Sequence, residues 1–201
     1  MADNTTLNTG SGGDVVRSND RSAVKTPVVM LDLGSDSTES IVDGTVAAPA
    51  ALLPTGGKAV TITQTPTVGT AAYVAKDAVG GLLTFANAAR VSAGSISIDA
   101  VTIVDKAQQM MSLDLVLFNA TIGAPTDSSP FDPTDAELLT CIGVIPVTVW
   151  SDFTDNSVAS RSALGLTANL AGTSLFGALV ARTGGSLSNG DIQVAVTITQ
   201  N

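Results

Sequence analysis

The densest potential chemistry in this chain lies in residues 127–137, Asp127-Ser128-Ser129-Pro130-Phe131-Asp132-Pro133-Thr134-Asp135-Ala136-Glu137. Asp127, Asp132, Asp135 and Glu137 are hard oxygen ligands, close enough in sequence to hold Ca²⁺. The spacing does not follow an EF-hand loop, which needs a central glycine and a closing glutamate. A simpler use is available. Asp132-Pro133-Thr134-Asp135 offers an N-cap, a proline at the first helical position and an acid at the third. Acids in a first turn also suit the helix dipole. Capping therefore explains Asp132 and Asp135 without a metal, and a short helix is expected over residues 133–142. A carboxylate pair that cleaves sugars needs a cleft beside it, and nothing in the neighbouring sequence points to an aromatic-lined one.

The remaining candidates are weaker. Histidine is absent, which removes Ser-His-Asp and Cys-His nucleophile pairs and most transition-metal sites. The single cysteine, Cys141, sits in the apolar run LLTCIG and reads as a small packed hydrophobe. Residues 10–14, GSGGD, are glycine-rich, but no strand precedes them and no helix clearly follows, so they make no phosphate loop. Trp150 could stack a sugar or anchor an interface, yet it follows a run of valines and reads as packing. Arg17, Arg21 and Lys25 are four apart, but Ser18, Asn19 and Asp20 among them make a helix poor. They read as solubilising charges or as contacts to an acidic partner. No cofactor is called for, and the chain reads as a non-enzyme.

Composition narrows the class. Of 201 residues 44% are apolar, 3% aromatic and 13% charged, so the core must be aliphatic and the surface rich in hydroxyls. Such a surface suits a protein packed against copies of itself or against a partner. The net charge of −9 argues against binding nucleic acid, which needs cations to replace counterions. No stretch has the length and purity of a membrane span, and no basic region followed by an apolar core marks a secretory signal.

The elements come from the hydrophobic pattern. Residues 1–57 read as an extended N-terminal arm, with a short strand over residues 25–33 and a Pro/Gly-rich connector. Residues 58–201 read as the body. Val60 and Ile62 alternate with threonines. Residues 81–85 follow a turn. Ile96 and Ile98 alternate, then Val101 and Ile103 continue out of phase, which predicts a bulge at Asp99-Ala100. Leu113, Leu115 and Leu117 share a face; a further strand through Val147 and Val149 ends at Trp150; Leu164, Leu166 and Ala168 alternate. Residues 175–181 form a nearly continuous apolar strand, and DIQVAVTITQ alternates cleanly. Many short strands divided by turns predict an all-β sandwich, jelly-roll-like or Ig-like, with one short helix.

The opening MADNTTLNTGSGGDVVRSND and the KTPVVMLDLG strand resemble the N-terminal segment of tailed-bacteriophage structural proteins. GGLLTFANAAR, SISIDAVTIVDKAQQMMSLDLVLFNA and FDPTDAELLTCIGVI resemble the sandwich of small phage head-decoration (cement) proteins. The resemblance implies a virion protein with a jelly-roll-like body, often a homotrimer, clamped over joints between major capsid proteins. It places the protein on the outer capsid surface, after synthesis in the bacterial host cytoplasm. No functional residue carries over, because such proteins work through surfaces. The expected contacts are Val15, Val16, Arg17 and Arg21 in the arm, and Val28, Val29, Leu31 and Leu33 in its strand. Two other readings remain: a tail, baseplate or head-fibre component in host attachment, and a carbohydrate-active or calcium-dependent sandwich.

Overall fold

A computed structural model describes residues 57–201, and before them only the backbone of four short strands. The chain divides into two units, Met1–Thr55 and Gly56–Asn201. In the first, β1 (Thr5–Thr6) pairs with β2 (Val15–Val16), and β3 (Ser18–Arg21) pairs with β4 (Val24–Pro27), both antiparallel. Val15 and Val16 thus form β2 and Arg21 ends β3. Arg17, Val28, Val29, Leu31 and Leu33 lie outside the described residues, as does most of the strand expected over residues 25–33.

The second unit is built from strands and one helical turn. They are β5 (Lys58–Gln64), β6 (Ala72–Tyr73), β7 (Leu83–Phe85), β8 (Ser95–Asp105), β9 (Leu113–Phe118), α1 (Asp135–Leu138), β10 (Cys141–Val147), β11 (Ser151–Asp152), β12 (Ser157–Asn169), β13 (Leu175–Ala181), β14 (Gly185–Ser186) and β15 (Ile192–Gln200). One sheet has the order β11-β12-β8-β15-β5 and the other β10-β9-β13-β7, while β14 and β6 form a small ribbon. The first and last long strands, β5 and β15, are neighbours, and every pairing is antiparallel. The chain crosses between the sheets at each step except the β9–β10 and β11–β12 hairpins. That order defines a jelly roll of eight strands, with β11 added at one edge.

The two inner faces meet in an aliphatic core. Ile96, Ile98, Val101 and Ile103 of β8 and Val194, Val196 and Ile198 of β15 face Leu113, Leu115 and Leu117 of β9 and Leu175 and Leu179 of β13, all buried. Phe85 fills the space over Gly177, where a Cβ would stand 3.3 Å from its ring and 3.1 Å from Leu117. Strands with one face in a core alternate in burial, as β15 does throughout.

β9 departs from that pattern: all six residues are buried. On its outer face Val116 and Phe118, with Val180, form a second apolar cluster beneath Ile122 and Phe131 of the following loop. The Phe118 and Phe131 rings lie 6.5 Å apart, tilted by 60°. Asp114, on the same face, accepts from Arg182 Nε at 2.6 Å.

The expected bulge is present and crosses three strands. Ile98 pairs with Ile198 and Ala100 with Thr197, so Asp99 has no opposite residue on β15. On β12 the same step spans Ser162 to Leu166. There Ala163 (φ 56°) and Gly165 (φ 60°) take the left-handed conformation. The bulged Asp99 accepts from Thr199 Oγ1 at 2.6 Å and Ser97 Oγ at 3.1 Å.

Two expected elements need correction. The helix covers Asp135–Leu138 rather than residues 133–142, and Cys141 and Ile142 belong to β10. The β-branched run Ile142, Val144, Ile145, Val147 outweighs the helical continuation. The strand expected to end at Trp150 therefore ends at Val147, and Val149 is 74% exposed.

Candidate functional site

The acidic segment is the first place to look for chemistry, and its first half is spent on holding loops together. Asp127 Oδ1 accepts from Tyr73 Oη at 2.7 Å and from Gly80 N at 2.6 Å. Its Oδ2 accepts from Gly69 N at 2.7 Å. Gly80 sits at φ +77°, and a Cβ there would stand 2.7 Å from Pro66, so only glycine brings this N–H to the carboxylate. Backbone bonds reinforce the join: Ala78 N to Ser129 O at 2.8 Å, Ser128 N to Ala78 O at 3.0 Å and Phe131 N to Lys76 O at 2.9 Å. Burial works against charge at Asp127, but donors from Tyr73, Gly69, Gly80 and Ser128 outweigh it and hold the carboxyl below its usual range. Burial, then the bond to the Asp127 carboxylate, pushes the Tyr73 hydroxyl well above the usual tyrosine value.

Glu137 is spent on the helix. Thr134, not Asp132, is the N-cap, and Glu137 closes a capping box. Its Oε2 accepts from Thr134 N and Thr134 Oγ1, both at 2.8 Å, and its Oε1 from Gly123 N. The Gly123 amide, then the amide and the hydroxyl of Thr134, lower the Glu137 carboxyl below its usual range. The pattern T-D-A-E already spells a capping box; the proline at position 133 drew the expected start two residues too early. Capping, with Asp135 in the first turn, is thus the role this segment plays.

The four carboxylates are not gathered into one ligand set. Among the described residues, no three His, Cys, Asp or Glu side chains come together as a metal site would require. A cleft of about 280 Å³ does open beside Glu137, walled by Pro125, Pro130, Phe131 and Pro133, with Asp132 at its side. With Thr126, Ser129 and the two acids in its lining, it is an open, largely polar notch with one aromatic ring. Cys141 is half-buried against the second apolar cluster. Trp150 packs on the main core and donates from Nε1 to Met111 O at 3.0 Å.

The register fixes what lies at each end of the sandwich. Lys58, where the chain enters the body, is level with Gln200, Ile96 and Ala168. The opposite end carries the loops of residues 106–112, 148–156 and 182–191. Gln108 Nε2 ties the first two, donating to Asp152 Oδ1 at 3.1 Å and to Phe153 O. Asp105, wholly buried, anchors the same turn by accepting from Ala107 N at 2.9 Å and Met110 N at 2.7 Å. On this framework Met110, Val149 and Phe153 are exposed, Phe153 by 57%. The sequence reading missed this tip. Its signal is an apolar residue, Phe153, set between Asp152 and Asp155, where no strand pattern explains it.

No protein-family model matches the chain, and no curated protein does. Among solved structures it is similar to a chain in the structure of infectious bursal disease virus Gx strain. That alignment has 17% identity and a TM-score of 0.35, and covers 97% of this chain and 40% of that one. The Gt strain structure gives 16%, 0.31, 96% and 40%. The crystal structure of the infectious bursal disease virus VP2 subviral particle gives 16%, 0.30, 97% and 41%. The chain thus spans about two-fifths of the length of the chains it overlays.

Proposed function

We propose that this chain is a non-enzymatic structural protein of a virus particle, specifically a decoration (cement) protein on the outer surface of a shell of major capsid protein. The observation that carries the reading is the eight-strand jelly-roll order, a scaffold that recurs in viral shells. Fold alone does not assign function, so the sequence adds weight: the phage-like N-terminal segment, a hydroxyl-rich surface and an acidic balance unsuited to holding nucleic acid. In this reading residues 1–57 are an arm that orders on docking and residues 58–201 are the body. The arm then covers a large surface at an ordering cost met only at docking. Val15, Val16, Arg17, Arg21, Val28, Val29, Leu31 and Leu33 supply its contacts.

One observation favours a second reading, a tail, baseplate or head-fibre component. The exposed Met110, Val149 and Phe153 stand at the end of the sandwich away from Lys58, where a receptor could be met. Copy number in purified particles separates the two. A fixed large fraction of the capsid-subunit number supports cement; a few copies per particle support the tail or fibre; absence from particles removes both.

A further inference from the structure

Four strand edges border the two sheets, and three of them carry a device against further pairing. β10 has Pro146, which lacks a donor, and a register shift between Cys141 and Gly143. β7 is three residues long. β12 is capped by β11 at Ser157 and Val158, and beyond them Arg161 and the left-handed Ala163 and Gly165 interrupt its edge. Such features are how natural sheets block edge-to-edge association. β5 has only one of them, the charge of Lys58 at its first residue. Its seven residues, KAVTITQ, run in unbroken register with β15, with no proline, no bulge and no acid. Among the described residues no strand lies on its outer side.

We infer that β5 is a strand-addition edge whose occupant is β5 of a second copy, paired antiparallel about a two-fold axis at Thr61. Charge permits that occupant, and the register of the strand with its own copy selects it. The chain carries −9, so copies repel, yet no acid occurs between Asp43 and Asp77 and β5 contributes only Lys58. Two-fold pairing centred on Thr61 sets Lys58 against Gln64 of the partner subunit, so like charges do not meet. It sets Val60 against Ile62 of the partner subunit. Both side chains are half-buried against the main core, so pairing extends that core across the axis. The contact is isologous and closes on itself. It goes beyond the virion reading, holds or fails independently of it, and replaces the trimer that the phage resemblance implies.

Thr61 provides the test. It is exposed, and its one side-chain bond is to Thr197 Oγ1 at 3.0 Å. The full chain is measured by light scattering over a concentration series, with circular dichroism confirming the fold of each variant. The wild type should have the mass of two chains. Thr61→Lys and Thr61→Glu each oppose like charges on the axis and should weaken the dimer at least tenfold. Mixed one to one, they should recover a two-chain species containing one of each. Thr61→Val, which removes the bond to Thr197 without adding charge, should pair as the wild type does. A wild-type mass of one chain or of three overturns the inference. So does a charged variant that pairs as the wild type does, a mixture that does not recover, or a Thr61→Val that falls apart.

Discussion

Asp127 shows how a residue that looks like a metal ligand can be structural. Its oxygens face donors from Gly69, Tyr73 and Gly80, so its charge stabilises the join of two loops. Asp127→Asn turns an amide NH₂ toward some of those donors and should cost about 1–3 kcal/mol in urea unfolding at pH 7. The pH dependence follows from the direction of the shift. A carboxyl held below its usual range in the folded state is favoured as the anion, so its contribution is present above the unfolded value and lost as pH falls through the folded one. Wild-type stability should therefore fall in acid below about pH 4, the unfolded carboxylate range, and Asp127→Asn should flatten that fall. Tyr73 runs the other way. Its raised value stabilises the fold below about pH 10, and that contribution fades as alkali deprotonates the unfolded chain first. EDTA should leave the melting temperature unchanged; a drop that Ca²⁺ restores would return the acidic segment to a metal role.

At the level of elements, the Asp99 bulge is the clearest case of a feature readable in advance. Ile96 and Ile98, then Val101 and Ile103, must all face the core, and an even count cannot satisfy both pairs without one extra residue. The response on β12 was not readable, because which strand lies opposite is a tertiary fact. That response leaves Ala163 at φ 56°, where an L side chain is strained. Ala163→Gly should raise stability by about 1 kcal/mol in thermal or urea unfolding; a loss would show that the Ala163 methyl is needed. The burial of both faces of β9 was also hidden. Nothing local in LDLVLF says that a loop carrying Ile122 and Phe131 will fold over Val116 and Phe118. The overlong helix failed for a related reason: Cys141 and Ile142 satisfy a helical pattern locally, but Phe118 and Leu117, the partners of Cys141 and Gly143, lie across a hairpin.

For the whole molecule, alternation alone reached the all-β sandwich, since each long strand has one face in a shared core. The jelly-roll order required the pairings, because β5 and β15 are neighbours across nearly the whole length of the body. The candidate site was least legible. Acids drew attention to residues 127–137, while the exposed Met110, Val149 and Phe153 tip depends on loops brought together from two distant parts of the chain. Replacing Phe153 with Ser should leave folding intact, since the ring is mostly in solvent. If the fibre reading holds, it should reduce adsorption to host cells; under the cement reading, adsorption and particle stability should both be unaffected.

Lys58 lies level with Gln200 and Gln64 level with Val194 along one uninterrupted ladder. A pull entering at Lys58 and resisted at the far tip runs parallel to these strands. It loads the β5–β15 bonds together, in shear, instead of peeling them from one end. A body tethered through that strand would hold firm under tension until the whole ladder gave way at once, and would fail earlier only if the force were turned to tug Lys58 sideways.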